Sequence, residues 1–415
     1  MNTNLSFQIP NSKLPRGWRW VKLGEVCASA QNRDPKTTPD LPFRYVDISS
    51  IDNNSKKIID ARTILGRDAP SRAKQIIRIN DVLVATTRPN LNAVALVPEE
   101  LNDEICSTGF SVFRAKELID PSFLFAFVQT QYVIDTISGQ VRGMLYPAVT
   151  DRQVRDVYLP LPPLPEQKRI AVKVQELMQE MERARTACEK QLEAVRALHA
   201  AYLREVFESE EAKKWERKKV GEILKEPLKN GLNYRKEDFG TGIKFVNVSD
   251  VFCTESTDNE KLGRINVSLK DVKKYQLQTG DILIVRSSLK REGVAYPALF
   301  IEDEEPVVFC GFLIRIRPDK GKVAPFYLLN YLRSSIAREK LVGDSDTVTI
   351  TNVDQGTLLS LDIPIPSLDE QQRITFELKE KMAQVENLQS AIQNQHSALS
   401  VLPQSILRKA FSGEL

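Results

Sequence analysis

Along residues 166–207 the apolar positions fall at Ile170, Val174, Leu177, Met181, Ala184, Cys188, Val195, Leu198 and Tyr202. Steps of four and three make one stripe of a heptad pattern. The stretch contains no Gly or Pro and is rich in Ala, Glu, Gln, Lys, Arg and Leu, which predicts a single long helix. A second stripe runs through Ile374, Leu378, Val385, Leu388, Ile392, Leu399, Leu402 and Ile406, each 204 positions after a member of the first. Two matched helices of this length cannot bury their seams alone, so the pattern predicts that they pair antiparallel as a coiled coil. Gln191 and Gln395 interrupt the two seams at the same place. Each is read either as a surface-edge residue or as a buried register-fixing one. Pro403 is expected to break or kink the second helix near its end.

Elsewhere the periodicity shortens. Runs such as RYVDI, DVLVATT and FSVFR, and later KFVNV, DILIVR and FLIRIR, are β-branched, four to eight residues long, and bounded by turn residues, so they predict strands. Helical patterns lie between them at 121–137 and 324–341. These elements recur in order. WRWVKLGEV (18–26) returns as WERKKVGEI (215–223), FRYVDISS (43–50) as IKFVNVSD (243–250), INDVLVATTR (79–88) as TGDILIVRSS (279–288), and GFSVFR (109–114) roughly as GFLIRI (311–316). LPLPPLPEQKRI (159–170) returns as IPIPSLDEQQRI (363–374). The prolines push the residues before them out of the α region, so each copy is an extended joint leading into a long helix. Asp369 with Gln372 resembles a capping box for the second. The predicted fold is thus an α/β (α+β) tandem repeat: globular units at 1–160 and 211–364, long helices at 161–210 and 365–415.

Composition narrows the chemistry. The chain has 415 residues, 42% of them apolar, with a net charge of +3. Lys+Arg and Asp+Glu nearly balance in each globular half and in each helix, so charge alone does not announce a nucleic-acid binder. The five cysteines are scattered and never form a C-x-x-C pair, and no signal-like or membrane-length apolar stretch occurs, so a reducing, cytoplasmic setting is expected. The only histidines are His199 and His396, both inside the helices, which leaves no histidine for a triad or zinc site in the globular halves. Phosphate-loop, dinucleotide-binding and amino-methyltransferase signatures are absent, so catalysis and bound cofactors are not expected in this chain. Asp81 and Asp281, which precede matched strands, read as turn residues.

PRGWRWVKLGE (15–25), the two proline joints, the equal helices and the terminal LRKAFSGEL (407–415) together resemble the specificity subunit of type I restriction-modification systems, over essentially the whole chain. The resemblance implies two target-recognition domains, each reading half of a bipartite asymmetric site in double-stranded DNA. It further implies helices that set the spacer and dock two methyltransferase subunits, with restriction/translocase subunits joining the assembly. S-adenosylmethionine, ATP and Mg would belong to those partners. Within this reading the DNA candidates are the loops 85–92 and 286–293, with Arg88, Asn90, Asn92, Arg286, Ser287, Ser288, Lys290 and Arg291. Arginine, amide and hydroxyl groups of this kind read base edges. The segments before each joint add Arg142, Tyr146, Thr347, Thr349 and Asn352. The basic run Arg62, Arg67, Arg72, Lys74 and Arg78 is read as a phosphate contact or a solvated helix face, and KKWERKK (213–219) as a linker. Glu166, Gln167, Arg169, Glu370, Gln371 and Arg373, shared by both joints, are the expected partner contacts. Two other identities remain compatible with these residues. One is the specificity partner of a fused methyltransferase-nuclease; the other is a structural or regulatory coiled-coil protein without sequence-specific reading.

Overall fold

A computed structural model describes residues 14–140, 148–252, 255–288, 293–342 and 351–415. Its contacts divide the chain into two compact units, residues 1–188 with 394–415, and residues 189–393. The division cuts both long helices, Leu164–Phe207 and Leu368–Ser412. Each unit therefore holds one globular head, the first half of the helix that leaves it, and the second half of the other helix. The helix halves run antiparallel in each unit. In the first, the Arg169 guanidinium donates to the Leu415 carbonyl at 2.5 Å. In the second, Lys381 pairs with Glu205 at 3.2 Å and lies 4.7 Å from the centre of the Tyr202 ring.

The heads share a core topology. In the first, an antiparallel sheet orders Cys27–Ala28, Phe110–Ala115, Val82–Ala85 and Val94–Leu96. The second repeats it with Leu224–Asn230, Leu313–Pro318, Ile282–Val285 and Pro297–Leu299. Another sheet in each head contains one parallel pair, Pro42–Val46 with Ile105–Ser107 and Phe239–Val246 with Val307–Phe309. In the second sequence repeat the correspondence of GFSVFR with GFLIRI shifts by one residue, because Phe113 pairs with Val82 where Ile316 pairs with Ile282. The offset is 203, not 202. One residue decides which face each side chain takes.

The proline joints are strands. Tyr158–Leu161 pairs antiparallel with Arg19–Lys22, and Asp362–Ile365 with Glu216–Lys219. Two-stranded ribbons have free outer edges, where a residue without an N–H is tolerated. Half of KKWERKK is consequently a strand and not a linker.

Three further expectations change. The helical patterns at 121–137 and 324–341 each break in two, into Pro121–Phe127 with Gln131–Ser138 and Pro325–Arg333 with Ser335–Val342. Thr130 caps the second piece of the first pair by accepting from Val133 N, and the buried Ser334 hydroxyl occupies the corresponding break. The second long helix starts at Leu368, and Ser367, not Asp369, supplies the cap oxygen, to Glu370 N. That helix also continues through Pro403 to Ser412. Its last turns are held from outside: Leu407, Ala410 and Phe411 are buried against the first head, and the Gln404 amide bonds Gln129 O and Gln131 N. Packing there outweighs the lost helical hydrogen bond. Gln191 and Gln395 are both exposed, which leaves the surface-edge reading.

Candidate DNA-recognition faces

In the first head the central strand Val82–Ala85 ends at Thr86, whose hydroxyl donates to the Gly109 carbonyl at 2.8 Å. Thr86 O accepts from Val149 N at 2.9 Å, and Thr87 bridges Ala148. Beyond it a short turn, Pro89–Leu91, is flanked by Arg88 at φ 48° and Asn92 at φ 46°. Left-handed backbone at two non-glycine residues costs energy and persists where the surroundings impose it. Here they do: the Asn92 amide donates to Val128 O at 2.9 Å, and Lys56 Nζ donates to Asn92 O at 2.6 Å. Asn92 is thus a buried anchor, 6% exposed, and not the base-facing group expected of it. Arg88 and Asn90 stand exposed at the tip it holds.

The second head is built the same way. Strand Ile282–Val285 continues into Arg286, whose carbonyl accepts from Val353 N at 2.9 Å. Ser287 and Ser288 pair with Asn352 and Thr351. Asn352 is exposed, while Arg286 and Ser287 are half-buried. In both heads, then, the loop after the central strand and the segment before the joint share one sheet edge, although about 60 residues separate them. Arg142, Tyr146, Lys290, Arg291, Thr347 and Thr349 lie outside the described residues.

The basic run is not a helix face. It lies on and around strands Arg62–Leu65 and Ala73–Ile76, and four of its cations face carboxylates: Arg62 with Asp60, Arg67 with Asp40, Lys74 with Asp34 and Arg78 with Asp103. Arg72 is exposed.

Asp81 and Asp281 do more than shape turns. Each accepts its turn N–H, from Arg78 and Gln278 at 2.8 Å, and each is 1% exposed. Each also takes a bidentate guanidinium from the neighbouring strand. Arg114 bonds Asp81 at 3.0 and 2.6 Å, and Arg317 bonds Asp281 at 2.8 and 2.7 Å. Two-point Arg–carboxylate bonding fixes orientation as well as distance. The offset of 200 between the two aspartates was visible in the chain, but the offset of 203 between the arginines, and which arginine meets which carboxylate, are set by strand register.

Of the six shared joint residues, four are on the surface. Arg169 bonds Glu166 at 2.8 and 2.7 Å, and Arg373 bonds Glu370 at 2.9 and 2.5 Å and Glu377 at 2.6 Å. The guanidinium hydrogen bonds hold both Glu166 and Glu370 below the usual carboxylate range. Gln167 and Gln371 are different. Neither has any exposed surface, so the expectation that they touch a partner gives way to an internal role. Among the described residues no cluster of His, Cys, Asp and Glu is arranged to hold a metal, and no helix is long and apolar enough to cross a membrane.

A pair of heads on one core topology, each carrying a polar loop edge at the end of its central strand and each packed in one unit with the start of a long helix, defines a tandem recognition protein. The type I restriction modification DNA specificity domain matches the chain twice, over residues 15–193 and 212–396, and the chain belongs to that family. It is 34% identical to the HsdS subunit of Thermoanaerobacter tengcongensis, with a TM-score of 0.66 covering 98% of this chain and 99% of that one. A chain from a structural study of complex assembly and conformational transition of the type I R-M system is also 34% identical, with a TM-score of 0.84 covering 97% and 100%. The type I restriction enzyme StySPI specificity subunit of Salmonella potsdam is 22% identical over 422 residues, covering 97% of this chain and 90% of its own length. The chain is a DNA sequence-specificity subunit.

Proposed function

We propose that each head reads one half of a bipartite, asymmetric site in double-stranded DNA, and that the paired helices set the spacer and dock two methyltransferase subunits. The observation that carries this reading is the repeated loop edge: the same scaffold position presents Arg88 and Asn90 in one head and Arg286, Ser287 and Asn352 in the other. A common frame with different polar groups suits two different half-sites. Arg142, Tyr146, Ser288, Lys290, Arg291, Thr347 and Thr349 complete the proposed reading sets. Exposed Arg169 and Arg373, with the half-buried Glu166 and Glu370 that they bond, are offered to the methyltransferases, and restriction/translocase subunits join the same cytoplasmic assembly. Catalysis lies outside this chain, with S-adenosylmethionine, ATP and Mg held by the partners.

Sequencing the methylated positions in a host that carries this subunit and its methyltransferase tests the proposal. A two-part motif with unlike halves and one fixed spacer is expected; a continuous or palindromic motif would contradict it. Within that experiment, Arg88→Ala should relax the base preference of a single half-site position by about 1–3 kcal/mol, or roughly five- to 150-fold.

A further inference from the structure

We propose that the buried amides of Gln167 and Gln371 are positioning residues that fix the spacer, by locking each head to its helix. The inference rests on the bipartite reading above and names the groups that make it geometrically strict.

The two clamps are the same to the atom. Gln167 Oε1 accepts from Asp120 N at 2.8 Å, and its Nε2 donates to Leu118 O at 3.0 Å and Pro162 O at 2.9 Å. Gln371 Oε1 accepts from Ala324 N at 2.8 Å, and its Nε2 donates to Lys322 O at 3.2 Å and Pro366 O at 2.9 Å. Every partner is displaced by 204 positions. Each side chain stands on the first turn of a long helix and bonds both the proline joint and the loop that enters a head helix, Pro121–Phe127 or Pro325–Arg333. Three backbone segments are thereby held by one fully buried group.

Other contacts also join head and helix, but they are of another kind. Phe411 packs 5.0 and 5.2 Å from Phe123 and Phe127, and Phe207 packs 5.5 and 5.2 Å from Tyr327 and Tyr331. Apolar burial holds surfaces together without fixing direction. Hydrogen bonds weaken steeply once length or angle leaves a narrow range. Reading a site whose spacer is one base pair too long or short asks for a displacement of about 3.4 Å and a rotation of roughly 35° between the reading positions. A joint held only by apolar surface can share out such a change; a three-point amide clamp resists it.

The test uses the assembled complex with its methyltransferase. Gln167→Leu, Gln371→Leu and Gln167→Glu are each compared with the unaltered subunit on duplexes whose spacer is the natural length, one pair shorter and one pair longer. Glu retains the acceptor for Asp120 N but loses both donations, so it separates the clamp from simple loss of side-chain volume. Methylation at the altered spacers relative to the natural one should rise roughly tenfold in each variant, as expected for losing one net hydrogen bond's worth of orientation. The bases read within each half-site should stay the same. An unchanged spacer ratio in assembled variants overturns the proposal, and so does failure of all three to assemble, since the clamp would then serve folding and not spacing. If the unaltered subunit itself shows no fixed spacer, the bipartite reading fails, and that result is distinct from either.

Discussion

The two heads differ most where they are least constrained. Strand Ala73–Ile76 extends the parallel-containing sheet of the first head, whereas the second has the helix Leu269–Tyr275 against its corresponding sheet. The local sequence explains the change: Ser268 accepts from Asp271 N as a helix cap, and Lys273 and Lys274 sit in the last turn, where cations favour the helix dipole. A second difference lies inside the central sheet. Buried Val112 in the first head has Arg315 as its counterpart in the second, only 1% exposed and bonded to Glu226 at 2.5 Å. By contrast the Asp–Arg pairs, the glutamine clamps and the aromatic wedges coincide. What repeats is the frame that orients the reading edge, and what diverges is the periphery, the edge itself and the buried Val112/Arg315 position of the central sheet.

The wedge gives the sharpest way to break this comparison. Phe207→Ala and Phe411→Ala should each cost about 3–5 kcal/mol, because each removes a fully buried ring from an aromatic cluster. Denaturant unfolding of the two variants should give similar losses; a large cost in one and a small cost in the other would show that the repeat is not mechanically equivalent. The buried ion pairs come next. Arg317→Ala leaves Asp281 buried and unpaired and should cost about 3–4 kcal/mol. Arg114→Ala should cost less, about 1–3 kcal/mol, since the Arg114 side chain is already 21% exposed and water can reach the site it vacates. Equal losses would remove this asymmetry between the heads.

The smallest effect is the pH dependence that Glu226 contributes in the second head. Burial pushes the Glu226 carboxyl up, but the hydrogen bond and charge of Arg317 and the charge of Arg315 outweigh it and hold the group below its ordinary value. A carboxylate lowered on folding stabilises the folded state above its unfolded value, about 4.3, and that contribution disappears as pH falls through the lower folded value. Unfolding midpoints measured from pH 7 down to 3 should therefore fall more steeply in the unaltered protein than in Glu226→Gln. Parallel curves would show that Glu226 is not coupled to folding.

Much of this molecule was legible in its chain. The heptad seams with their fixed offset of 204, and the strand runs that recur in the same order, specify two long helices and two similar heads, because periodicity of 3.6 or 2 is a local property of the backbone. The joints were recognisable for the same reason. Pro403 misled, since its local cost is real but is offset by Leu407, Ala410 and Phe411 packing into the first head, far away in the chain. Asn92 and the two clamp glutamines misled in the opposite direction: polar side chains in loops and helix starts look available to a partner, and only the packed fold shows them buried and bonded.

The sequence by itself determined the repeat, the element types and the resemblance to specificity subunits, all of which reside in spacing along one dimension. Tertiary structure decided which helix half accompanies which head, which arginine meets which buried aspartate, and that residues 86–88 and 148–149, or 286–288 and 351–353, share one edge. Those outcomes depend on strand register and on burial. Both are settled by contacts between distant segments, whose free energy no local stretch of sequence contains.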